Sequence, residues 1–313
     1  MKKIVFICCV TFFSSCITTK YNQRYFQFNY EVEINPTNGK KMEIWIPIPQ
    51  SNEVQTISNL EYDLDGLSFE LKNENKHDNR YIYIYAKEGT KKTKNIKISC
   101  NVLRQEHSNI KYDGVNPSNY LVSYSQVPVG NIFSDIIDNN KLHKNDIKSV
   151  YDFVLKGMHY GKPKDATETD TYYSGKNPNT DIKWLPENQK FGMLEVSKNQ
   201  VVDIYKKSKT KNDKYTFGNG NSLYACDIGV GNCTDFHSYF MSIGRTLQIP
   251  IRFHMGFPIP NGNGGKVGGY HCWADYYVKG EGWYPVDISE ADKDPRRADY
   301  FFGTLCSDRV DFM

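Results

Sequence analysis

The sequence has no surplus of charge of either sign. Its 39 lysines and arginines nearly balance its 36 aspartates and glutamates, and the formal net charge is +3. Proteins that bind nucleic acid concentrate basic residues on one face, so this balance argues against a nucleic-acid partner. The basic run at 206–211 is short and local, and we interpret it as solvated surface.

The sequence also lacks the motifs of a bound cofactor or metal. We find no internal repeat, calcium loop or phosphate loop, and the glycines at 262–265 do not stand between a strand and a helix. Structural zinc requires closely spaced pairs of ligands. Cys226 and Cys233 are seven residues apart, and His271 and Cys272 should point to opposite faces of a strand. We therefore expect no cofactor and no metal site.

The apolar run at the start of the chain is too short to span a membrane. Two lysines precede this run, residues 4–13, and two serines then lead to Cys16. This order is typical of a secretory signal and is similar to a bacterial lipoprotein processing site. We interpret residues 1–15 as a signal peptide, Cys16 as the lipidated first residue and residues 16–24 as a tether. The protein is thus predicted to be an exported lipoprotein, anchored to a membrane of the bacterial cell envelope (periplasm or outer membrane).

Five cysteines remain in the predicted mature domains. They are Cys100, Cys226, Cys233, Cys272 and Cys306. An odd number is what four structural thiols and one reactive thiol would give. An oxidising compartment permits disulfides, and the sequence leaves their pairing open.

Alternating hydrophobicity predicts a β domain over residues 25–106. The apolar positions of its first strand are Phe26, Phe28, Tyr30, Val32 and Ile34. Their period of two is that of a half-buried strand. Further strands are predicted near 42–46, 81–85 and 96–102, with a turn at 36–39. We interpret these short strands as a small antiparallel sandwich, which would serve as a spacer or docking module.

A helical pattern begins near residue 145 and opens a second domain, residues 140–313. Asp146 is placed to cap a helix whose apolar residues recur at helical spacing from Ile147 to Met158. The polar stretch at 161–215 then has few apolar residues. Loops of this length are uncommon in compact domains and are usually functional lids or disordered segments. We predict that residues 161–215 are an insertion that forms a lid or rim over a cleft.

Cys233 is predicted to begin a helix. Glycine and Asn232 precede it, and apolar residues from Phe236 to Leu247 then share one helical face before Pro250 ends the helix. At a helix N-terminus, backbone N–H groups and the macrodipole lower the pKa of a thiol. The same N–H groups can receive a developing oxyanion. Cys233 is therefore a candidate nucleophile, whereas an isolated cysteine would more simply be a core thiol.

His271 and Asp287 are the candidate partners of this thiol. His271 begins a strand-like run, a turn follows at Glu281 and Gly282, and a second strand leads to Asp287. A hairpin of this kind places the two side chains near each other although they are 16 positions apart in sequence. A carboxylate there fixes the imidazole tautomer while the other ring nitrogen faces the thiol. The alternatives are a core histidine at His271 and a turn-capping carboxylate at Asp287.

Taken together, these motifs resemble the transglutaminase-like superfamily, in its bacterial exported cysteine protease branch. The resemblance depends on Cys233 within Gly-Asn-Cys-Thr-Asp, His271 before Trp273, and Asp287 after Gly-Trp, and it covers about residues 145–160 and 217–313. It implies an α+β fold: a papain-like transglutaminase core preceded by the antiparallel β-sandwich. It also implies a triad of Cys233, His271 and Asp287.

Five further residues near the motifs are candidates for oxyanion donors or for support around the triad. They are Tyr224, Asn232, Asp235, His237 and Trp273. His237 follows Cys233 by four positions and therefore lies on the same side of the helix.

The implied reaction is attack by the thiolate on a peptide or side-chain amide of a peptide or protein substrate. The resulting thioester would be resolved by water or by an amine, and we favour hydrolysis because no motif indicates a dedicated amine site. Fold alone does not choose among peptidases, amide hydrolases and cross-linking enzymes. The alternative is a non-catalytic surface lipoprotein that uses this fold as a binding module.

Overall fold

The structure is a computed structural model that describes residues 22–163, 172–174, 188–191, 194–197 and 218–313. The predicted signal peptide, Cys16 and residues 17–21 of the predicted tether lie outside the described residues. The same holds for most of the predicted insertion at 161–215, of which four short strand segments are described.

Two three-stranded antiparallel sheets form the N-terminal part of the molecule. The strands are β1 (Gln23–Ile34), β2 (Met42–Pro47), β3 (Gln55–Asp63), β4 (Phe69–Asn73), β5 (Arg80–Ala86) and β6 (Lys94–Gln105). Their orders are β1-β6-β3 and β2-β5-β4. Apolar side chains from both sheets meet in one cluster that includes Ile34, Ile82 and Ile96. The strands predicted from alternation are therefore present and enclose a common core.

Strands β3 and β4 were not predicted from the sequence. The register of β3 against β6 shifts between Ser58 and Glu61, and such a bulge interrupts the alternation on which the prediction depends. Strand β4 has only five residues, and its apolar side chains Phe69 and Leu71 are exposed. A short edge strand of this kind carries little hydrophobic signal.

Helices follow the two sheets. They are α1 (Ile132–Asn140), α2 (Ile147–Gly157), α3 (Ser222–Ile228), α4 (Cys233–Thr246) and α5 (Ile288–Lys293). The predicted cap of α2 is confirmed, because the Asp146 carboxylate accepts a hydrogen bond from the backbone N–H of Ser149 at 3.1 Å. Helix α4 is buried on nearly all sides and packs against the other four helices and the C-terminal sheet. Its buried position holds the start of the helix in place.

A four-stranded antiparallel sheet completes the fold. Its strands are β12 (Ile251–Pro258), β13 (His271–Val278), β14 (Gly282–Val286) and β15 (Arg309–Asp311), in the order β14-β13-β12-β15. The small strands are β7 (His159–Pro163), β8 (Tyr172–Ser174), β9 (Asn188–Phe191), β10 (Leu194–Ser197) and β11 (Val230–Gly231). This arrangement confirms the predicted α+β class: antiparallel sheets first, then helices and a further sheet.

Strand β15 joins the C-terminal sheet to the N-terminal ones. Val310 and Phe312 pack in one cluster with Phe28 and Val102. The buried Gln55 amide also accepts from the N–H of Asp311 at 2.8 Å and donates to its carbonyl at 2.9 Å. These contacts tie β15 to β1, β3 and β6. Among the described residues, no helix has the length and apolar character needed to cross a membrane.

Candidate active site

Cys233 occupies the first position of α4 and is only 2% exposed. Asn232 caps the helix, and its side-chain oxygen accepts from the N–H groups of Thr234 at 2.9 Å and Asp235 at 3.3 Å. The thiol therefore lies at the positive end of the helix dipole, where negative charge is favoured. This is the location that the sequence predicted.

Asp235 completes the cap and anchors the preceding loop. Its carboxylate accepts from the backbone N–H groups of Asn232 at 3.0 Å, Gly218 at 2.9 Å and Gly220 at 3.2 Å. Burial raises the pKa of Asp235 to about 7, although the three N–H groups oppose that effect. Both Asn232 and Asp235 thus use their side-chain oxygens to fix the turn that presents Cys233.

His271 and Asp287 form a buried hydrogen-bonded pair. The His271 Nε2–H donates to Asp287 Oδ2 at 2.7 Å, and the two side chains are 6% and 0% exposed. His271 begins β13, and Asp287 follows the last residue of β14, so the β13–β14 hairpin brings them together. With Nε2 occupied, Nδ1 is the nitrogen available to Cys233, whose thiol is in hydrogen-bonding contact with His271.

Both interpretations of Asp287 hold at once, since it caps a helix and binds the imidazole. Its Oδ1 accepts from the Ser289 hydroxyl at 3.0 Å and from the N–H of Glu290 at 3.1 Å, which caps α5. Its Oδ2 accepts from His271 and from Arg309 Nη1, the latter at 3.0 Å. Four donors therefore hold this carboxylate in one orientation.

The electrostatics of the site favour a deprotonated, negative Cys233 and a protonated, positive His271. The Cys272 thiol, followed by His271, holds the pKa of Cys233 well below its usual range against the opposing effect of burial. Burial would lower the pKa of His271, but Asp287 outweighs it and raises the pKa to about 10. His271 and Arg309 in turn keep the pKa of Asp287 well below its usual range, although burial opposes them. A thiolate–imidazolium pair is the expected form near neutral pH.

Cys272 corrects one prediction. Strand alternation placed it on the face opposite His271, but its thiol contacts Cys233, as His271 does. The Cys272 Sγ also lies 3.6 Å from Thr234 Oγ1 in the first turn of α4. Both side chains reach Cys233 because α4 packs against β13 and begins near the strand's first residues, where strict alternation does not decide which side chain it meets. Burial raises the pKa of the Cys272 thiol, so Cys272 is the hydrogen-bond donor to Cys233.

His237 connects the nucleophile's helix to the segment that carries Asp287. Its Nδ1–H donates to the Cys233 carbonyl at 2.7 Å, and its Nε2 accepts from the N–H of Ile288 at 3.2 Å. One neutral tautomer makes both bonds, and burial lowers the pKa of His237 accordingly. The His237 side chain therefore joins the backbone at Cys233 to the backbone next to Asp287.

Trp273 and Tyr224 are both buried, and Trp273 lies next to His271. The Trp273 ring lies 6.2 Å from the His271 ring, between centroids, and stacks on His254 at 5.7 Å. The guanidinium of Arg309 lies 5.0 Å from the Trp273 ring centroid. Tyr224 lies in α3 and is fully buried. The Trp273 ring thus packs next to the His271 ring.

Polar side chains that the sequence did not single out surround the site. Glu290 Oε1 lies 3.8 Å from His271 Nε2 and accepts from Lys293 Nζ at 2.7 Å. The Lys293 ammonium stands 4.0 Å from the centroid of the Tyr160 ring. Across the site, Tyr270 is 45% exposed, and its hydroxyl lies 3.4 Å from Thr234 Oγ1. These contacts come from α5, β7 and the loop before β13, which sequence spacing alone does not bring together.

Of the candidate metal ligands, Cys233, His271 and Cys272 meet at the active site, whereas Cys226 and His254 lie elsewhere. In the part of the chain that the structure describes, no group of three or more His, Cys, Asp or Glu side chains could hold a metal ion. His254 instead lies between two carboxylates, with Nε2 at 2.9 Å from Asp275 Oδ2 and Nδ1 at 3.2 Å from Asp311 Oδ2. Cys226 is buried in the main core.

Comparison with known proteins agrees with this fold. Residues 190–288 match the sequence model described as the transglutaminase-like superfamily. This part of the chain therefore carries the superfamily's core, and the resemblance seen in the sequence is confirmed. The match includes Cys233, His271 and Asp287, and it begins inside the stretch predicted as an insertion.

Relatives agree at the level of fold. The chain resembles a crystal structure described as a putative cysteine protease from Cytophaga hutchinsonii, with a TM-score of 0.56 and 12% identity over 93% of this chain and 82% of that one. The periplasmic domain of TgpA from Pseudomonas aeruginosa aligns with a TM-score of 0.35 and 12% identity over 89% of this chain and 78% of that one. A Haemophilus influenzae protein described as uncharacterized is 30% identical over 96 residues, 24% of this chain and 26% of that protein. The chain thus matches about a quarter of that relative's length.

Proposed function

We propose that this protein is a cysteine-dependent acyl-transfer enzyme that acts on a peptide or side-chain amide. One observation carries the proposal: the Cys233 thiol at the start of α4 contacts an imidazole whose Nε2 lies 2.7 Å from a fully buried carboxylate. The nucleophile therefore contacts its base, and the base contacts the carboxylate that orients it, as covalent catalysis requires. Cys233 acts as nucleophile, His271 as acid and base, and Asp287 as the group that orients His271.

The reaction runs in two steps. The Cys233 thiolate attacks the amide carbonyl carbon, a C–S bond forms, and the carbonyl oxygen takes the negative charge. His271 Nδ1–H protonates the amide nitrogen, and the C–N bond breaks. The amine departs, and the acyl group stays on Cys233 as a thioester. Neutral His271 then removes a proton from water, and the water oxygen attacks the acyl carbon of the thioester. The C–S bond breaks, Cys233 leaves as the thiolate, and a carboxylic acid is released. The thiolate and imidazolium are restored.

The start of α4 supplies the proposed oxyanion donor. Asn232 already binds the N–H groups of Thr234 and Asp235. The N–H of Cys233 itself belongs to the first turn, whose donors have no carbonyl partner within the helix. We assign this N–H to the developing oxyanion, where one such donor is worth about 3 kcal/mol of barrier.

We favour water over an amine as the acceptor. Transfer to an amine requires a site that holds the amine and excludes water from the acyl-enzyme, whereas hydrolysis requires only the base that the triad already provides. The aromatic side chain of Tyr270 and the ring of Tyr160 border the site and suit a peptide chain better than a small polar substrate. We therefore propose a peptide or protein as the substrate.

A partition experiment tests this proposal. The protein is incubated with peptides that contain glutamine and with a labelled primary amine, and mass spectrometry follows deamidation, cleavage, amine incorporation and the Cys233 adduct. We expect hydrolysis to exceed amine incorporation, and both to vanish in Cys233→Ala. A Cys100→Ala variant, which removes a free thiol of β6 in the N-terminal sheets, is the control. Dominant amine incorporation would make the protein a transferase, and absence of any adduct would favour a non-catalytic binding module.

We also propose that the protein is an exported lipoprotein anchored through Cys16. The support is the order of two lysines, a short apolar run and two serines before Cys16. In the native bacterium, Cys16→Ala should leave an unprocessed precursor or release the protein from the membrane fraction. An unacylated mature terminus at another residue would contradict the anchor and leave export intact.

A further inference from the structure

Arg309 contacts Asp287, the carboxylate proposed to orient His271, from a strand that the sequence motifs do not include. Its Nη1–H donates to Asp287 Oδ2 at 3.0 Å, and the two side chains are 4% and 0% exposed. The same oxygen accepts from His271 Nε2. Arg309 lies in β15, beyond the segment 190–288 that matches the family model.

With Arg309, the charges of the site alternate. The order is thiolate at Cys233, imidazolium at His271, carboxylate at Asp287 and guanidinium at Arg309, so the buried group is neutral as a whole. Without Arg309, the same group would carry one net negative charge in a region closed to water. Uncompensated buried charge is costly, and the least costly way to remove it is to keep a proton on the thiol.

We propose that Arg309 is a positioning residue of this site, whose guanidinium keeps the Asp287 carboxylate charged and turned toward His271. The inference rests on the function proposed above. It extends the site from three residues to four.

The guanidinium is held in one orientation. Its Nη2–H donates to Cys306 Sγ at 3.3 Å, and its face lies against the Trp273 ring, 5.0 Å from the centroid. Arginine suits this position because its planar fork can stack and donate in two directions, which a lysine ammonium cannot do. Arg309 therefore contacts both the Trp273 ring and the Asp287 carboxylate, the two groups that neighbour His271.

The N-terminal sheets hold the strand that carries Arg309. Gln55 of β3 makes two hydrogen bonds to the backbone of Asp311, and Arg24 of β1 pairs with Asp308 at 2.8 Å. Phe312 packs against Phe28. These contacts give the N-terminal sheets a role in placing the Arg309 guanidinium.

Other charged or titratable groups also face the buried group of Cys233, His271, Asp287 and Arg309. They are the same in the wild type and in every variant. They are Tyr151 on α2, His237 on α4, Glu290 and Lys293 on α5, Arg104 on β6, and His107 and Cys306 in loops. A change in pH behaviour on replacing Arg309 alone is therefore attributable to its guanidinium.

The test is the pH dependence of Cys233 alkylation, measured as the rate of iodoacetamide labelling by mass spectrometry. We expect Arg309→Met to raise the midpoint of the acid limb by about one pH unit, since a nearby charge shifts a buried group by this order. Labelling below the midpoint should then slow about tenfold and stay unchanged at alkaline pH. Arg309→Gln should act alike, and Arg309→Lys about half as much. Circular dichroism confirms that each variant is folded.

Arg245→Met is the matched control. Arg245 is also buried, but its guanidinium donates to the carbonyls of Val122 and Ile251, away from the triad. This variant should keep the wild-type midpoint. An unchanged midpoint in any folded Arg309 variant, or an equal shift in Arg245→Met, would overturn the proposal. A wild-type protein whose Cys233 labels with the pH profile of an ordinary thiol would instead refute the proposed function, and the Arg309 proposal that rests on it.

Discussion

Two buried histidines flank Trp273, and both face carboxylates, but only one of them can act as a base. His254 of β12 directs each ring nitrogen at a carboxylate, Asp275 at 2.9 Å and Asp311 at 3.2 Å. His271 of β13 directs one nitrogen at Asp287 and the other at Cys233. Two carboxylates fix a ring as an imidazolium, whereas one carboxylate and a thiol leave it able to exchange a proton.

This comparison shows that a buried His–carboxylate pair does not by itself define a reactive site. Burial would lower the pKa of His254, but Asp275 and Asp311 outweigh it and raise the pKa to about 9. The ring stacks on Trp273 with an interplanar angle of 1°. We therefore interpret His254 as a charged support for the sheet, and His271 as the group that exchanges protons.

The largest expected effect is the loss of catalysis in Cys233→Ala. The Cys233 thiol is the proposed nucleophile, so turnover and the acyl adduct should both disappear. Alanine at the first helical position keeps the backbone favourable, and the thermal unfolding midpoint should change little. Thermal unfolding and adduct mass spectrometry measure the two outcomes. A protein that loses its fold together with its activity would contradict this separation.

His271→Ala and His254→Gln should differ in their effects on turnover and on Cys233 alkylation. Removal of a general acid–base side chain reduces the rate by about 10²–10⁴-fold, and His271→Ala should do so. His254→Gln should retain Cys233 alkylation at mildly acidic pH, because it leaves the thiol, His271 and Asp287 in place. Rates of turnover and of iodoacetamide labelling separate the two. Similar losses in both variants would show that the two histidines act as one unit.

The stability of the protein should depend on pH through His254. Its pKa is about 9 in the folded state against 6.5 as the reference value. A raised pKa contributes stability that is fully present below pH 6.5 and is lost as the pH rises to about 9. The shift corresponds to about 3 kcal/mol. Urea unfolding at pH 6 and pH 9.5 should show a smaller difference in His254→Gln than in the wild type. Equal differences would contradict the two-carboxylate account.

Cys272→Ala should produce the smallest change. Loss of the neighbouring Cys272 thiol should raise the pKa of Cys233, because this contact helps to hold that pKa below its usual range. The His271 contact remains, so we expect alkylation at acidic pH to slow by less than tenfold. A matched Cys226→Ala variant, in the main core, should leave the labelling rate unchanged. Faster labelling in Cys272→Ala would show that Cys272 only shields Cys233.

Much of this arrangement could be predicted from local sequence patterns. Alternation predicted β1, β2, β5 and β6, and the helical pattern that follows glycine and Asn232 placed Cys233 at a helix start. The turn at Gly282 allowed a hairpin to join His271 and Asp287. Each of these depends on residues close together in sequence, where spacing and turn chemistry are informative.

The remaining features depend on contacts between distant segments. Arg309 reaches Asp287 from β15 because that strand pairs with β12, and spacing does not report such pairing. The Cys272–Cys233 contact arises where α4 meets the start of β13, which overrides simple alternation. The Asp311–His254 bond likewise joins residues 57 positions apart. Tertiary packing, rather than local propensity, decides these details.

The most direct test of the central claim is the pH profile of Cys233 alkylation in the folded protein, compared with the same thiol in urea. We predict that folded Cys233 reacts readily at pH 5.5 and that its rate changes little up to pH 8, because it is already a thiolate paired with His271. In urea, the rate should rise about tenfold per pH unit toward an ordinary thiol pKa near 8.5. Identical profiles in the two states would contradict the thiolate–imidazolium pair, and with it the proposed nucleophile.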